Sequence, residues 1–122
     1  MQHTEGFLKI VNASKARIKE TNVDQVARRL EKGEKLNLID VREDNEWEKG
    51  HAKGAVHLGR GIIERDIEGK FPDKNQELIL YCGGGFRSAL AADSLRLMGY
   101  KNAVSMDGGW KAWKEKNLPT ES

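Results

Sequence analysis

The chain has a single cysteine, Cys82, and two prolines among 122 residues. One cysteine cannot close an internal disulfide, so nothing demands an oxidising compartment and cytoplasm is the expected location. Nor does it found a thiolate metal site, and the histidines His3, His51 and His57 are scattered without ligand spacing. No metal and no organic cofactor is expected. An excess of one charge is missing too: 21 Lys and Arg face 19 Asp and Glu, a net charge of +2. A nucleic-acid binder would carry a basic stripe that this mixture lacks. No apolar run approaches the length that crosses a bilayer, so no membrane partner is expected. The first residues, MQHTEGFLKIVNASKARIKE, have neither the basic start nor the long apolar core of a secretory signal. Internal repeats and long linkers are absent, and the length suits one domain with its own core.

What is present is an alternation of helical and strand-like segments. Phe7, Leu8, Ile10 and Val11 mark a short leading helix, and ARIKET a short edge strand. Val23, Val26, Ala27 and Leu30 recur at helical spacing, with Asn22 as N-cap and Gly33 as stop. Strands are expected at LNLIDV (36–41), GAVHL (54–58), ELILYC (77–82) and NAVSM (102–106). Between them lie helical stretches at EDNEWEKG, GIIERDIEGKF, SALAADSLRLMG (88–99) and GWKAWKEKN (109–117). Such alternation predicts a parallel sheet covered on both faces, with ligands bound beyond the carboxyl ends of its strands. The domain is expected over 21–119, with a leading segment at 1–20 (short helix and start of the first strand) and a tail at 120–122.

Cys82 ends an apolar strand and is followed by Gly83, Gly84, Gly85, Phe86, Arg87 and Ser88. A strand that becomes a helix within five residues must turn sharply, and glycine permits the positive φ angles required. Without side chains at 83–85, several backbone N–H groups can converge on one spot and form an anion-binding nest. The following helix adds the positive end of its dipole. A thiol held there ionises more readily than a free cysteine, whose pKa is about 8.5.

The segments LIDVRE, EWEKGHAKGAVHLG, YCGGGFRSALAADSLRLMGY and SMDGGWKAW follow the order and spacing of the rhodanese-like sulfurtransferases, which the chain resembles from about Val23 to Pro119. The resemblance implies an α/β fold, a three-layer domain with a central parallel five-stranded sheet flanked by helices. It also implies that Cys82 is the nucleophile, accepting a sulfane sulfur as a persulfide and passing it to a thiophilic acceptor. The amides of Gly83, Gly84, Gly85, Phe86 and Arg87 would then cradle the transferred sulfur. Asp40 and Arg42 match a structural pair behind the loop, Gly50-His51 and Gly54-Ala55 match turn positions, and Asp107–Trp110 match the rim after the last strand. Arg87 would order the loop and lend charge to the sulfur; holding an anionic donor and pairing with a carboxylate are its other readings. Arg60, after GAVHL, is a candidate contact for an anionic donor or a solvated surface group.

Four residues separate Cys82 from Arg87. Phosphatases and arsenate reductases of similar fold have five, which makes a ring wide enough for a tetrahedral oxyanion. The shorter loop favours sulfur transfer. Family members that use thiosulfate often have a basic side chain just after the cysteine, whereas Gly83 and Gly84 offer none. The expected partners are a small sulfur donor (thiosulfate or a persulfide) and a cyanide or thiol acceptor, a protein thiol included. A non-catalytic interaction or sulfur-carrier module is the alternative.

Overall fold

A computed structural model describes residues 3–122. In chain order the elements are α1 (Glu5–Lys15), β1 (Lys19–Asn22), α2 (Val23–Glu31), β2 (Leu38–Asp40), α3 (Asp44–Glu48), β3 (His51–Ala52), β4 (Val56–His57), α4 (Ile63–Lys70), β5 (Leu78–Tyr81), α5 (Phe86–Leu97), β6 (Ala103–Asp107), α6 (Gly109–Glu115) and β7 (Thr120–Glu121). Five strands form one sheet in the order β1-β6-β5-β2-β4, every neighbouring pair parallel. This is the central parallel five-stranded sheet expected from the alternation and the resemblance.

Period-two alternation divides the sheet residues between two cores. Leu78, Leu80 and Cys82 of the central strand segment join Ile63, Ile67, Ala91, Ala92 and Leu95 of α4 and α5. Ile79 and Tyr81 join Val23 and Val26 of α2 and Trp113 of α6. The central strand is thus buried on both sides, which is why its sequence reads as an unbroken apolar run. Asn22 caps α2 as expected, its side chain accepting the Gln25 N–H at 2.9 Å.

Two details depart from the sequence reading, and a third concerns the leading segment, whose packing the sequence left open. A second, two-stranded antiparallel ladder joins β3 to β7, so Thr120 and Glu121, expected in a tail, pair with Ala52 and His51. α5 begins at Phe86, two residues before the expected start. The leading helix α1 packs along α5, tied there by the Ser14 hydroxyl and Arg17, both donating to Asp93.

Candidate active site

The carboxyl ends of β2, β5 and β6 lie side by side, so the loops after Asp40, Tyr81 and Asp107 meet at one edge of the sheet. Cys82 opens the middle loop and is 1% exposed. Its Sγ accepts from the Gly85 amide at 3.1 Å and the Ser88 amide at 3.4 Å, and lies 3.5 Å from Ser88 Oγ. The loop is turned inside out to achieve this. The carbonyls of Cys82, Gly83 and Gly84 accept from the amides of Trp110 (2.8 Å), Lys111 (3.1 Å) and Gly108 (3.3 Å). With its carbonyls tied back to the start of α6, the loop presents its N–H groups to the sulfur side. The amides of Gly83 and Gly84 donate to no carbonyl among the described residues, and those of Phe86 and Arg87 belong to the unpaired first turn of α5.

Two glycines make this geometry accessible. Gly85 has φ +109°, and a Cβ there would sit 3.0 Å from Asp107 Oδ1 and 3.3 Å from Asp107 Cα. Gly109 has φ +52°, and its Cβ would overlap the Cys82 carbonyl oxygen and lie 2.9 Å from the Gly83 carbonyl. Arg87 closes the other side. Its Nη1 and Nη2 donate to the two Glu46 carboxylate oxygens at 2.9 and 3.2 Å. That fork holds Arg87 above its ordinary pKa, against the cost of partial burial and with help from the neighbouring Cys82 charge. Glu46 is correspondingly held below the usual carboxylate range, chiefly by Arg87. Glu46 Oε2 also accepts the Glu43 amide at 2.8 Å, so one carboxylate both starts α3 and clamps the loop.

The rhodanese-like domain model matches residues 22–116 of this sequence. The chain belongs to the rhodanese-like family. YtwF of Bacillus subtilis, which bears a sulfurtransferase name, is 36% identical over 102 residues, covering 84% of this chain and 96% of YtwF. The thiosulfate sulfurtransferase GlpE of Vibrio cholerae is 32% identical over 87 residues, 70% of this chain and 79% of GlpE. YrkF of Bacillus subtilis, which bears a sulfur-carrier name, is longer; the chain spans 52% of it at 32% identity. Among solved structures, RPA3614 of Rhodopseudomonas palustris, described as a protein of unknown function and possible tyrosine phosphatase, superposes with a TM-score of 0.84 at 28% identity, covering 99% of this chain and 98% of that one. The polysulfide-sulfur transferase of Wolinella succinogenes superposes with a TM-score of 0.78 at 28% identity, covering 95% and 87%.

The other candidate residues of this rhodanese-like site separate into those tied to the loop and those apart from it. Asp40 and Arg42 are fully buried and paired, Arg42 Nη2 reaching Asp40 Oδ2 at 2.8 Å and the Gly50 carbonyl at 2.7 Å. The Arg42 guanidinium lies 4.7 Å from the Trp110 ring centroid, and Trp110 donates its amide to the Cys82 carbonyl. The pair therefore reaches the loop through α6. Arg60 stands at the same edge of the sheet but bonds Glu64 at 2.9 Å, and no hydrogen bond or ion pair joins it to 82–88. His51 and His57 each have one ring nitrogen on a backbone carbonyl, those of Trp47 (3.1 Å) and Arg42 (2.8 Å), and both stack on Trp47. His3, in the leading segment, packs against Phe86 with the rings tilted by 45° and their centroids 4.3 Å apart. Among the described residues no group of three or more acidic, His or Cys side chains is gathered for a metal, and no helix is long and apolar enough to cross a membrane.

Sequence reasoning missed Glu46 and Ser105. Glu46 lay in a run of acidic residues that read only as a helix start. Ser105, whose hydroxyl is 2.8 Å from Ser88 Oγ, had a visible signal: it is the lone polar residue inside the strand AVSM.

Proposed function

We propose that this protein is a sulfurtransferase that moves a sulfane sulfur through a persulfide on Cys82. In the first half-reaction the Cys82 thiolate attacks the outer sulfur of the donor. A sulfur–sulfur bond forms to Cys82, the donor's own bond to that sulfur breaks, and the electron pair leaves with sulfite (from thiosulfate) or a thiolate (from a persulfide). In the second, cyanide or a thiolate takes the outer sulfur, giving thiocyanate or a new persulfide and returning the Cys82 thiolate. The observation that supports this most is the convergence of the Gly85 and Ser88 amides on Sγ, with Arg87 beside them. Such donors are fixed before the reaction and need no reorganisation as charge moves. Hydrogen bonds to a charged acceptor are stronger than those to a neutral one, so the two amides act on charge at the sulfur as it develops and moves.

In this reading the free amides of Gly83, Gly84, Phe86 and Arg87 receive the outer sulfur. Arg87 orders the loop and adds positive charge, and Asp40 and Arg42 hold the edge from behind. Arg60, engaged by Glu64, has a surface role. The absence of a basic side chain at 83 and 84 favours a persulfide over thiosulfate as the donor. A phosphatase reading gains from the description of RPA3614, but Arg87 presents both Nη atoms to Glu46 and the loop is one residue short for a tetrahedral oxyanion.

The test is the intact mass of reduced protein after thiosulfate and, separately, after glutathione persulfide, followed by cyanide, with Cys82→Ser as control. The expected result is a gain of one sulfur atom, absent from Cys82→Ser and removed by cyanide, with the persulfide donor loading faster. A sulfur that loads but never discharges over repeated cycles would replace the enzyme by a sulfur carrier. No loading from either donor would overturn the reading.

A further inference from the structure

Ser105 stands where an apolar strand has no packing need for a hydroxyl. Its neighbours Val104 and Met106 are buried, and Ser105 itself is 0% exposed. The register pairs it with Leu80, and alternation puts Leu80, Cys82 and Ser105 on the sheet face covered by α5. There its Oγ lies 2.8 Å from the Oγ of Ser88, also 0% exposed, and Ser88 Oγ lies 3.5 Å from Cys82 Sγ. Three buried polar atoms, from β6, α5 and the cysteine loop, thus form a chain that ends on Sγ.

The direction of that chain depends on the charge of the sulfur. A hydroxyl has one hydrogen to give and two lone pairs. An ionised Sγ can only accept, so in the thiolate form the Ser88 hydrogen goes to the sulfur and the Ser105 hydrogen goes to Ser88 Oγ, its one side-chain partner among the described residues. With a neutral thiol the chain can run the other way, from Sγ to Ser88 to Ser105. Hydrogen bonds in series polarise one another, and an anionic acceptor gains more from this than a neutral thiol. We propose that Ser105 is a positioning residue for Cys82: it orients the Ser88 hydroxyl towards Sγ and thereby favours the ionised sulfur. The role extends the sulfur-transfer reading above, on which its effect on turnover rests; its effect on the thiol stands apart from that reading.

Because Cys82 is the only cysteine, alkylation by iodoacetamide reports on it alone. Ser105→Thr and Ser105→Val are matched in shape and differ by the hydroxyl, so their pH profiles are compared directly. Ser105→Val should be alkylated about threefold more slowly than Ser105→Thr at pH 6.5, with the difference shrinking as pH rises. Ser88→Ala should be slowed about tenfold at pH 6.5, and adding Ser105→Val to it should slow it no further, since Ser105 acts through Ser88. Superimposable profiles for the Thr and Val variants, a defect of equal size at every pH, or additive effects with Ser88→Ala would each overturn the proposal. Urea midpoints check that the variants are folded, and Ser105→Ala replaces Ser105→Val if the larger side chain unfolds the domain. Persulfide loading is weighed on the same samples. Wild-type protein that alkylates with the expected profile but never loads sulfur would refute the sulfurtransferase reading and leave the Ser105 role standing.

Discussion

Gly109→Ala is the smallest change that separates the cysteine loop from α6. The added Cβ meets backbone, the carbonyl oxygen of Cys82 and the carbonyl of Gly83, and no flexible side-chain end can swing away. The start of α6 must therefore retreat, and with it go the bonds from the Trp110 and Lys111 amides to the Cys82 and Gly83 carbonyls. At φ +52° the alanine also carries a left-handed backbone, at a cost of roughly 1–2 kcal/mol. Two lost hydrogen bonds add about 0.5–1.5 kcal/mol each, for a total of about 2–5 kcal/mol. With a urea dependence of roughly 1–3 kcal/mol per molar for a small domain, the unfolding midpoint should fall by on the order of 1–2 M. Gly69→Ala is the matched control: Gly69 lies within α4, and a Cβ added there would have nothing within 4 Å. There the same substitution should raise stability by about 0.5–1 kcal/mol. Released carbonyls also let the loop relax, so Gly109→Ala should load sulfur from glutathione persulfide more slowly at equal folded concentration. A Gly109→Ala protein within about 1 kcal/mol of wild type would refute the account of the inverted loop.

Other perturbations test other parts of the structure. Arg42→Met leaves the Asp40 carboxylate buried without its partner and should cost about 3–5 kcal/mol by urea unfolding; a loss below about 1 kcal/mol would show that the pair is dispensable. Asp93 is held at about 2 from an ordinary 3.8, first by the Arg17 hydrogen bond, against burial, and then by Arg96 and Ser14. A depressed carboxylate stabilises the fold above its unfolded pKa and loses that contribution as pH falls through the folded one. Asp93→Asn should therefore cost about 1–2 kcal/mol at pH 7, allowing for solvent screening of the half-exposed Arg17, with the gap to wild type closing between about pH 4 and 2; a constant gap would contradict it. Gly84→Lys places a cation on the exposed rim, where a Cβ would lie 3.8 Å from the Phe86 ring without clash. Near the sulfonate it should lower KM for thiosulfate about fivefold at low salt, an effect of roughly 1 kcal/mol that fades as salt rises; an unchanged KM would show that the donor enters elsewhere.

The parts of the fold that were legible are those written in local pattern. The unbroken apolar run at 77–82 announced a strand buried on both faces, and its alternation between two cores is the structural consequence. Val23 to Leu30 announced α2 by spacing and Asn22 by its capping chemistry. The β3–β7 ladder left no such trace, since two residues per strand are too few to establish a period and their partners are 68 to 70 positions apart. The start of α5 was misplaced for a different reason. A helix N-cap usually shows a side-chain acceptor, but here the cap is Gly85 in a left-handed conformation and the unpaired amides turn to Sγ instead. In the candidate site, the grouping of Cys82, the glycines, Arg87 and Ser88 in one loop was legible because they are consecutive. Glu46 was not, because its partner Arg87 lies 41 residues away and only the fold brings α3 against the loop.

The position of Cys82 directly after the middle strand explains why the loop can hold its polarity reversed. β5 has neighbours on both sides and helices on both faces, so the residue after it leaves the sheet from a fixed point. Its side chain continues the alternation into the core under α5, where amides and hydroxyls wait for the sulfur. Its carbonyl is claimed by α6, which packs with α2 on the opposite layer. The donors and the acceptors of the loop are thus anchored to opposite faces of one sheet. An edge strand offers only one neighbour and could not oppose the two anchors in this way. The sulfur chemistry proposed for Cys82 would therefore depend on both helical layers at once, α5 supplying the groups that face Sγ and α6 holding the backbone that lets them do so.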